Sequence, residues 1–231
     1  MAPDQSAQVP PGPVYLVDDD PDVLHFVGLT LERAGYTVRA YADPDLFLNE
    51  LRLEEPSVVL LDMAMPVRTG LDLQAALMRQ AHAASIIFLS GNSQQQQVID
   101  AIKGGAHDFL LKPARKDQIL NAVADAMAQS VEKVTNNTLK ETLRAGLGRL
   151  TAREGEVFPL IVAGYQNRQI AEILGIQTDT AKKHRASICE KFNVTDSVWL
   201  IALARDAERI DAKLWDDPEF PTREWTIPKI M

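Results

Sequence analysis

The chain has 231 residues, enough for two modest domains, and its 46% hydrophobic and 24% charged content is that of an ordinary globular protein. A net charge of −8 excludes broad coating of nucleic acid, so any DNA-binding face has to be local. The single cysteine excludes an internal disulfide framework, and neither a leader-like N-terminus nor an apolar run near the ~20 residues of a membrane helix is present; a soluble, cytoplasmic protein with no membrane partner is expected.

Residues 1–12, rich in Pro and Gln, read as a disordered N-terminus. Between 13 and 130 strand-like and helix-like segments alternate. Val14 to Val17 is an apolar strand that ends in Asp18, Asp19 and Asp20. Val23, Leu24, Phe26, Val27 and Leu31 then recur at helical spacing, and Gly35 stops the helix. Tyr36 to Tyr41 is a second strand, and Asp43-Pro44 reads as an N-cap with a first-turn proline opening a helix to about Arg52. Val58 to Leu61 is an uncharged apolar run that ends in Asp62, and Leu71 to Gln80 is helical. Ile86 to Leu89 ends in Ser90, with a helix from about Ser93 to Lys103. Phe109 to Leu111 ends in Lys112-Pro113, and Lys116 to about Gln129 is the fifth helix. Five β-α units in succession imply a parallel, doubly wound sheet with helices on both faces.

In such a sheet ligands gather where the strands end. Acids (Asp18, Asp19, Asp62), a hydroxyl (Ser90) and an ammonium (Lys112) at one edge make a phosphoryl-accepting site. Clustered carboxylates are tolerated around a hard cation, and Mg²⁺ uses one or two of them plus phosphate oxygens. Asp62 is the expected nucleophile, forming an acyl phosphate, with Lys112 and Ser90 on the phosphoryl oxygens. Asp20 and Asp22 read as helix-start acids. Ala64 and Asn92 flank the site, where they bear on water access. The four histidines are isolated from one another and suggest no metal centre.

This ordered set, the acidic cluster, Asp62-x-x-x-Pro66, Ser90-Gly91 and Lys112-Pro113, resembles the receiver domain of two-component response regulators. The resemblance implies a flavodoxin-like fold, Asp18 and Asp19 as metal-binding acids, and Asp62 as phosphoacceptor. It also implies an Ala64 carbonyl on Mg²⁺, Ser90 as switch hydroxyl, Lys112 as the site lysine and Phe109 as the aromatic switch.

Residues 131–147 are polar, with Asn136-Asn137, Gly146 and Gly148, and read as a linker. From 148 to 210 the pattern is purely helical. Thr151 and Glu154 form a capping box; Ile170, Ala171 and Leu174 line one face; Gly175 supplies a tight turn and Ile176 plugs the angle. The next helix buries Ala181, Ile188 and Phe192 and turns Lys182, Lys183 and Ala186 outward. Thr180, Lys182, Lys183, Arg185 and Ala186 are the expected DNA contacts. Pro159 is expected to kink or loosen the first of these helices. The segment resembles the LuxR-type helix-turn-helix, and its pairing with a receiver resembles the NarL/FixJ class. In that class the helix from Ser197 to Ala207 forms the dimer contact on DNA. Residues 211–231, with Trp215, Phe220 and Trp225, fall outside the resemblance, read as a C-terminal extension, and are expected to dock on the parent protein.

The expected function is a transcription regulator phosphorylated on Asp62 by a histidine kinase, dimerising to bind double-stranded promoter DNA and meeting RNA polymerase. It is not expected to be an enzyme beyond slow autodephosphorylation. Two alternatives stand beside this reading. One is a receiver-like regulator that acts without phosphorylation. The other is a phosphoaspartate-forming phosphatase using Asp18 in Asp18-x-Asp20, which leaves the C-terminal module unexplained.

Overall fold

A computed structural model describes residues 12–51, 55–66, 68–79, 83–91 and 95–210, and the chain divides into two compact units between Val134 and Thr135. Arg52, Gln80, Asn92, Ser93, the first 11 residues and the extension from 211 lie outside the described residues.

The first unit alternates strand and helix: β1 (Pro13–Val17), α1 (Pro21–Arg33), β2 (Thr37–Tyr41), α2 (Pro44–Glu50), β3 (Val58–Asp62), α3 (Gly70–Arg79), β4 (Ser85–Ser90), α4 (Gln95–Lys103), β5 (Asp108–Leu111) and the start of α5 (Lys116–Leu147). The sheet is five-stranded and parallel throughout, in the order β2-β1-β3-β4-β5. β3 and β4 are buried at every residue, which is why both read as unbroken apolar runs rather than alternating ones. Alternate side chains feed two cores. Tyr15, Val17, Val59, Leu61, Ile86 and Phe88 pack with Phe47, Leu73 and Leu77. On the other face Leu16, Leu60, Ile87 and Leu89 pack with Leu31, Ile119 and Val123. Each such fully buried side chain contributes about 1.5–3 kcal/mol.

Local signals set the helix starts. Asp20 caps α1 by accepting from the Asp22 N–H at 2.9 Å, and Asp43 caps α2 from Asp45 at 2.8 Å. Both helices open on a proline, whose missing N–H costs nothing there. Gly35 takes φ +94° after α1, as a stop glycine must. Phe26 departs from expectation: it is 52% exposed, off the buried stripe of Val27 and Leu31.

The second unit contains the end of α5 with α6 (Ala152–Val162), α7 (Asn167–Leu174), α8 (Thr178–Lys191) and α9 (Ser197–Ile210). The stretch expected as a linker, 131–147, is helical and continues α5 without a break. Leu139, Leu143 and Leu147 recur every fourth residue and pack into the helical core, so these residues gain burial as a helix that a coil would forfeit. Gly146 is part of that packing: a Cβ there would sit against the Phe192 ring. Phe192 in turn stacks on Phe158 with centroids 5.3 Å apart.

Pro159 lies inside α6 and does not end it. It has no N–H to donate to the carbonyl four residues back, that of Gly155, and the helix runs on to Val162. No described helix is long and apolar enough to cross a membrane.

Candidate functional site

The order β2-β1-β3 makes β1 and β3 neighbours, with Val17 opposite Leu61, so Asp18 and Asp62 leave the sheet side by side. This is the topological switch point of the fold, where helices diverge and open a crevice. Backbone bonds extend the ladder past the strand ends: Asp18 N–H to the Tyr41 carbonyl at 3.1 Å, Met63 N–H to Leu89 at 3.0 Å and Lys112 N–H to Ser90 at 2.7 Å. The functional residues are therefore fixed by the sheet itself.

Lys112 Nζ bridges the two acids, at 2.6 Å from Asp18 Oδ2 and 2.5 Å from Asp62 Oδ1. The other oxygens are held by backbone: Asp18 Oδ1 accepts from Asp20 N–H at 3.0 Å, and Asp62 Oδ2 from Ala64 N–H at 2.8 Å. Asp18 is fully buried, and burial pushes its carboxyl above the ordinary value even though Lys112 and the Asp20 N–H oppose this. Burial also pulls on the Lys112 ammonium, but its bonds to Asp18 and Asp62 outweigh that and raise it. Lys112 is thus firmly cationic. The Lys112–Pro113 peptide bond is cis.

Ser90 is buried at the end of β4, opposite Leu111 in register. Phe109 is half-buried on β5 opposite Phe88 and packs on the core beneath α3 and α4. Asp19 and Ala64 are exposed at the mouth. Among the described residues no three His, Cys, Asp or Glu side chains converge on a metal by themselves. The donors still suit a hard cation: the buried Asp18 carries charge that burial disfavours, a condition a cation relieves, and Asp62, Asp19 and the Ala64 carbonyl supply further oxygens. Asp20 caps α1, the role expected of a helix-start acid.

Gly70 was missed in the sequence. Its N–H donates to the Met63 carbonyl at 3.1 Å, and a Cβ there would collide with the Asp62 carbonyl and lie 2.8 Å from the Phe88 ring. The loop carrying Asp62 is closed by this contact. The signal was a glycine eight residues past the acid, at a helix start where glycine is otherwise a poor choice.

In the second unit α7 ends in Gly175 at φ +64°, and the Ile176 N–H bonds back to the Ala171 carbonyl at 3.0 Å, the tight turn of a helix-turn-helix. On α8, Lys182, Lys183 and Ala186 are exposed and Thr180 is half-buried. Arg185, also among the expected DNA contacts, is half-buried and bonded within the unit. It donates to Asn167 Oδ1 at 2.7 Å, to Ser197 Oγ at 3.0 Å and to the Tyr165 carbonyl. A guanidinium satisfies three scattered acceptors that the chain's turns leave there, and that role was invisible in the local pattern.

Glu154 completes the expected capping box with Thr151 and does more. Its second oxygen accepts from Ser187 Oγ at 2.7 Å, and Lys191 Nζ pairs with the first. Burial alone would raise its pKa, but Lys191, Ser187 and Thr151 outweigh burial and hold it at about 2. The acid at the start of α6 thereby anchors α8.

Comparison with known proteins agrees with both halves. The family of response regulator receiver domains matches residues 14–124, and that of bacterial regulatory proteins of the luxR family matches residues 149–204. The response regulator protein TodT of Pseudomonas putida F1 is 31% identical over 201 residues, 87% of each chain. The tetrathionate response regulatory protein TtrR of Salmonella typhimurium LT2 is 32% identical over 188 residues, 81% of this chain and 89% of that one. The solved structure of the response regulator StyR superposes with a TM-score of 0.72 at 31% identity, covering 85% of this chain and 99% of that one. Full-length FixJ from B. japonicum gives 0.52 at 26% identity, covering 86% and 98%. With an acid-lysine pocket at the switch point of one unit and a glycine-turned helix pair in the other, the chain belongs to the two-component response regulators of the NarL/FixJ class, a receiver domain followed by a LuxR-type DNA-binding domain.

Proposed function

We propose that the protein is a phosphorylation-controlled transcription regulator whose switch is Asp62. The observation that carries this is the Lys112 bridge: one ammonium holds Asp62 and the buried Asp18 together at the crevice of the sheet. An oxygen of Asp62 attacks the phosphorus of a phosphohistidine on a histidine kinase. The P–O bond forms as the N–P bond breaks, and the imidazole nitrogen leaves with the electron pair. Mg²⁺, when bound by Asp18, Asp19, Asp62 and the Ala64 carbonyl, supplies charge that neutralises the phosphoryl oxygens. Lys112 then turns from Asp62 to the new phosphoryl group, Ser90 donates its hydroxyl to another oxygen, and Phe109 turns inward. The population shifts toward a state whose receivers pair, and two second units, each presenting Lys182, Lys183, Thr180 and Ala186, bind the half-sites of a promoter within reach of RNA polymerase. The chain acts as a regulator and not as an enzyme; slow hydrolysis of its own acyl phosphate resets it.

The test is a titration of dimerisation and DNA binding with and without beryllofluoride and Mg²⁺, on wild type and on Asp62→Ala. Dimers and DNA binding that rise only when Asp62 is present support the reading. Equal binding without the phosphate mimic moves control away from the pocket.

A further inference from the structure

In the second unit, Leu139 and Thr142 of α5, Phe192, and Trp199, Ala202 and Leu203 of α9 line an open groove of about 580 Å³. Trp199 at its edge is 63% exposed and Val198 beside it 66%. Trp199, Ala202, Leu203 and Asp206 follow the spacing i, i+3, i+4, i+7, so the groove runs along one face of α9 to within a turn of its end at Ile210. Its volume falls in the ~300–1,000 Å³ range of sites that bury an organic group.

The sequence continues for 21 residues beyond α9, through 231. That segment carries Leu214, Trp215, Phe220, Trp225, Ile227 and Ile230, so two of the chain's three tryptophans lie in it and the third is Trp199. It lies beyond the luxR-family match, which stops at residue 204.

We propose that residues 211–231 fold back along α9 and seat Trp215 in this groove, covering Trp199. Reach is ample. Trp215 stands five residues past Ile210, a span of up to ~17 Å when extended, and the Ile210-to-Trp199 stretch of helix is only about 16 Å long. A covalently linked segment this short meets the groove at an effective concentration of about millimolar, far above that of a second copy in dilute solution. Large apolar side chains on both the groove and the segment lose their contact with water in a single event. The consequence rests on the dimerisation reading above: a covered α9 is closed to a second copy, so the segment holds the DNA-binding unit single until it lifts. A segment seated nine-tenths of the time weakens pairing about tenfold for each subunit.

The test uses the full chain with 5-fluorotryptophan, which gives three ¹⁹F resonances, one of them assigned by Trp199→Phe. In full-length Trp215→Ala/Phe220→Ala/Trp225→Ala the Trp199 resonance is expected to shift and become accessible to a dissolved paramagnet, and a synthetic 211–231 peptide restores it. The triple variant changes no residue of the helical core, and a circular dichroism melt checks its folding. An unchanged Trp199 resonance with unchanged accessibility overturns the docking. Shielding that depends on protein concentration in both proteins identifies a second copy as the occupant and also overturns it. Sedimentation of the same pair reads the consequence: the triple variant dimerises more tightly, and an equal dimer affinity overturns the inhibitory role. Neither measurement involves a phosphate mimic or DNA, so a failure here is separate from a failure of the Asp62 switch.

Discussion

Asp18 and Glu154 are both buried acids, and they respond to acid in opposite directions. The pKa of Asp18 is raised in the fold above its ordinary 3.8, chiefly by burial, so its charged form destabilises the native state, and protonation on acidification relieves that cost. Glu154 is lowered from 4.5 to about 2, so it contributes stability that is fully present above 4.5 and lost as pH falls toward 2. A difference of that size corresponds to roughly 3 kcal/mol. Glu154→Gln is therefore expected to destabilise the second unit by about 3 kcal/mol and to flatten its acid limb between pH 4.5 and 2, measured by denaturant titration across that range. An unchanged acid limb in the variant would remove Glu154 as the anchor of α8. Arg185→Ala is expected to lower the melting temperature of the same unit, because it leaves Asn167, Ser197 and the Tyr165 carbonyl without their donor. Lys182→Ala and Lys183→Ala, at exposed positions, are expected to leave the melt alone and to weaken DNA binding in a titration with duplex DNA.

At the scale of elements, two glycines separate propensity from packing. Gly146 lies within α5, where alanine is favoured over glycine by about 1 kcal/mol. The Phe192 ring occupies the space of the new methyl, so Gly146→Ala is expected to destabilise by about 1–3 kcal/mol, read by urea unfolding, whereas Gly148→Ala, with room of 3.4 Å or more, is not. Gly70→Ala forces a methyl against the Asp62 carbonyl and is expected to lower both stability and beryllofluoride affinity. The strand ends were legible because apolar runs stop at Asp18, Asp62, Ser90 and Lys112, and a parallel sheet brings such ends together. The starts of α1, α2 and α6 were legible because their caps are local, a matter of three or four residues. The end of α5 was not, because Asn136, Asn137 and two glycines carry a coil-like composition, while the leucines that hold it as helix pack into a core built by the later helices, from Val157 to Ala204. Phe26 failed for the opposite reason: helical spacing places it next to the buried stripe, and only the tertiary neighbours determine that the stripe ends before it. Arg185 and the far side of Glu154 are likewise tertiary facts, made by partners 12 to 33 residues distant.

For the whole molecule, division into two units implies two thermal transitions in calorimetry. Mg²⁺ is expected to raise only the one belonging to the receiver, by about 2.7 kcal/mol at a hundredfold excess over its dissociation constant. The rise should vanish in Asp18→Asn, and a shift of both transitions would place the ion elsewhere. Charge gives a second consequence. Helix α8 carries four cations, Lys182, Lys183, Arg185 and Lys191, but Arg185 and Lys191 are already bonded within the protein. Only two per helix are left for phosphates, on a chain of net charge −8. Non-specific attraction to DNA grows with the phosphates neutralised, and it is what lets a protein linger and slide between sites. With so few cations left over, the proposed DNA binding is expected to draw little on non-specific attraction, and its salt dependence should correspond to about two phosphates per second unit.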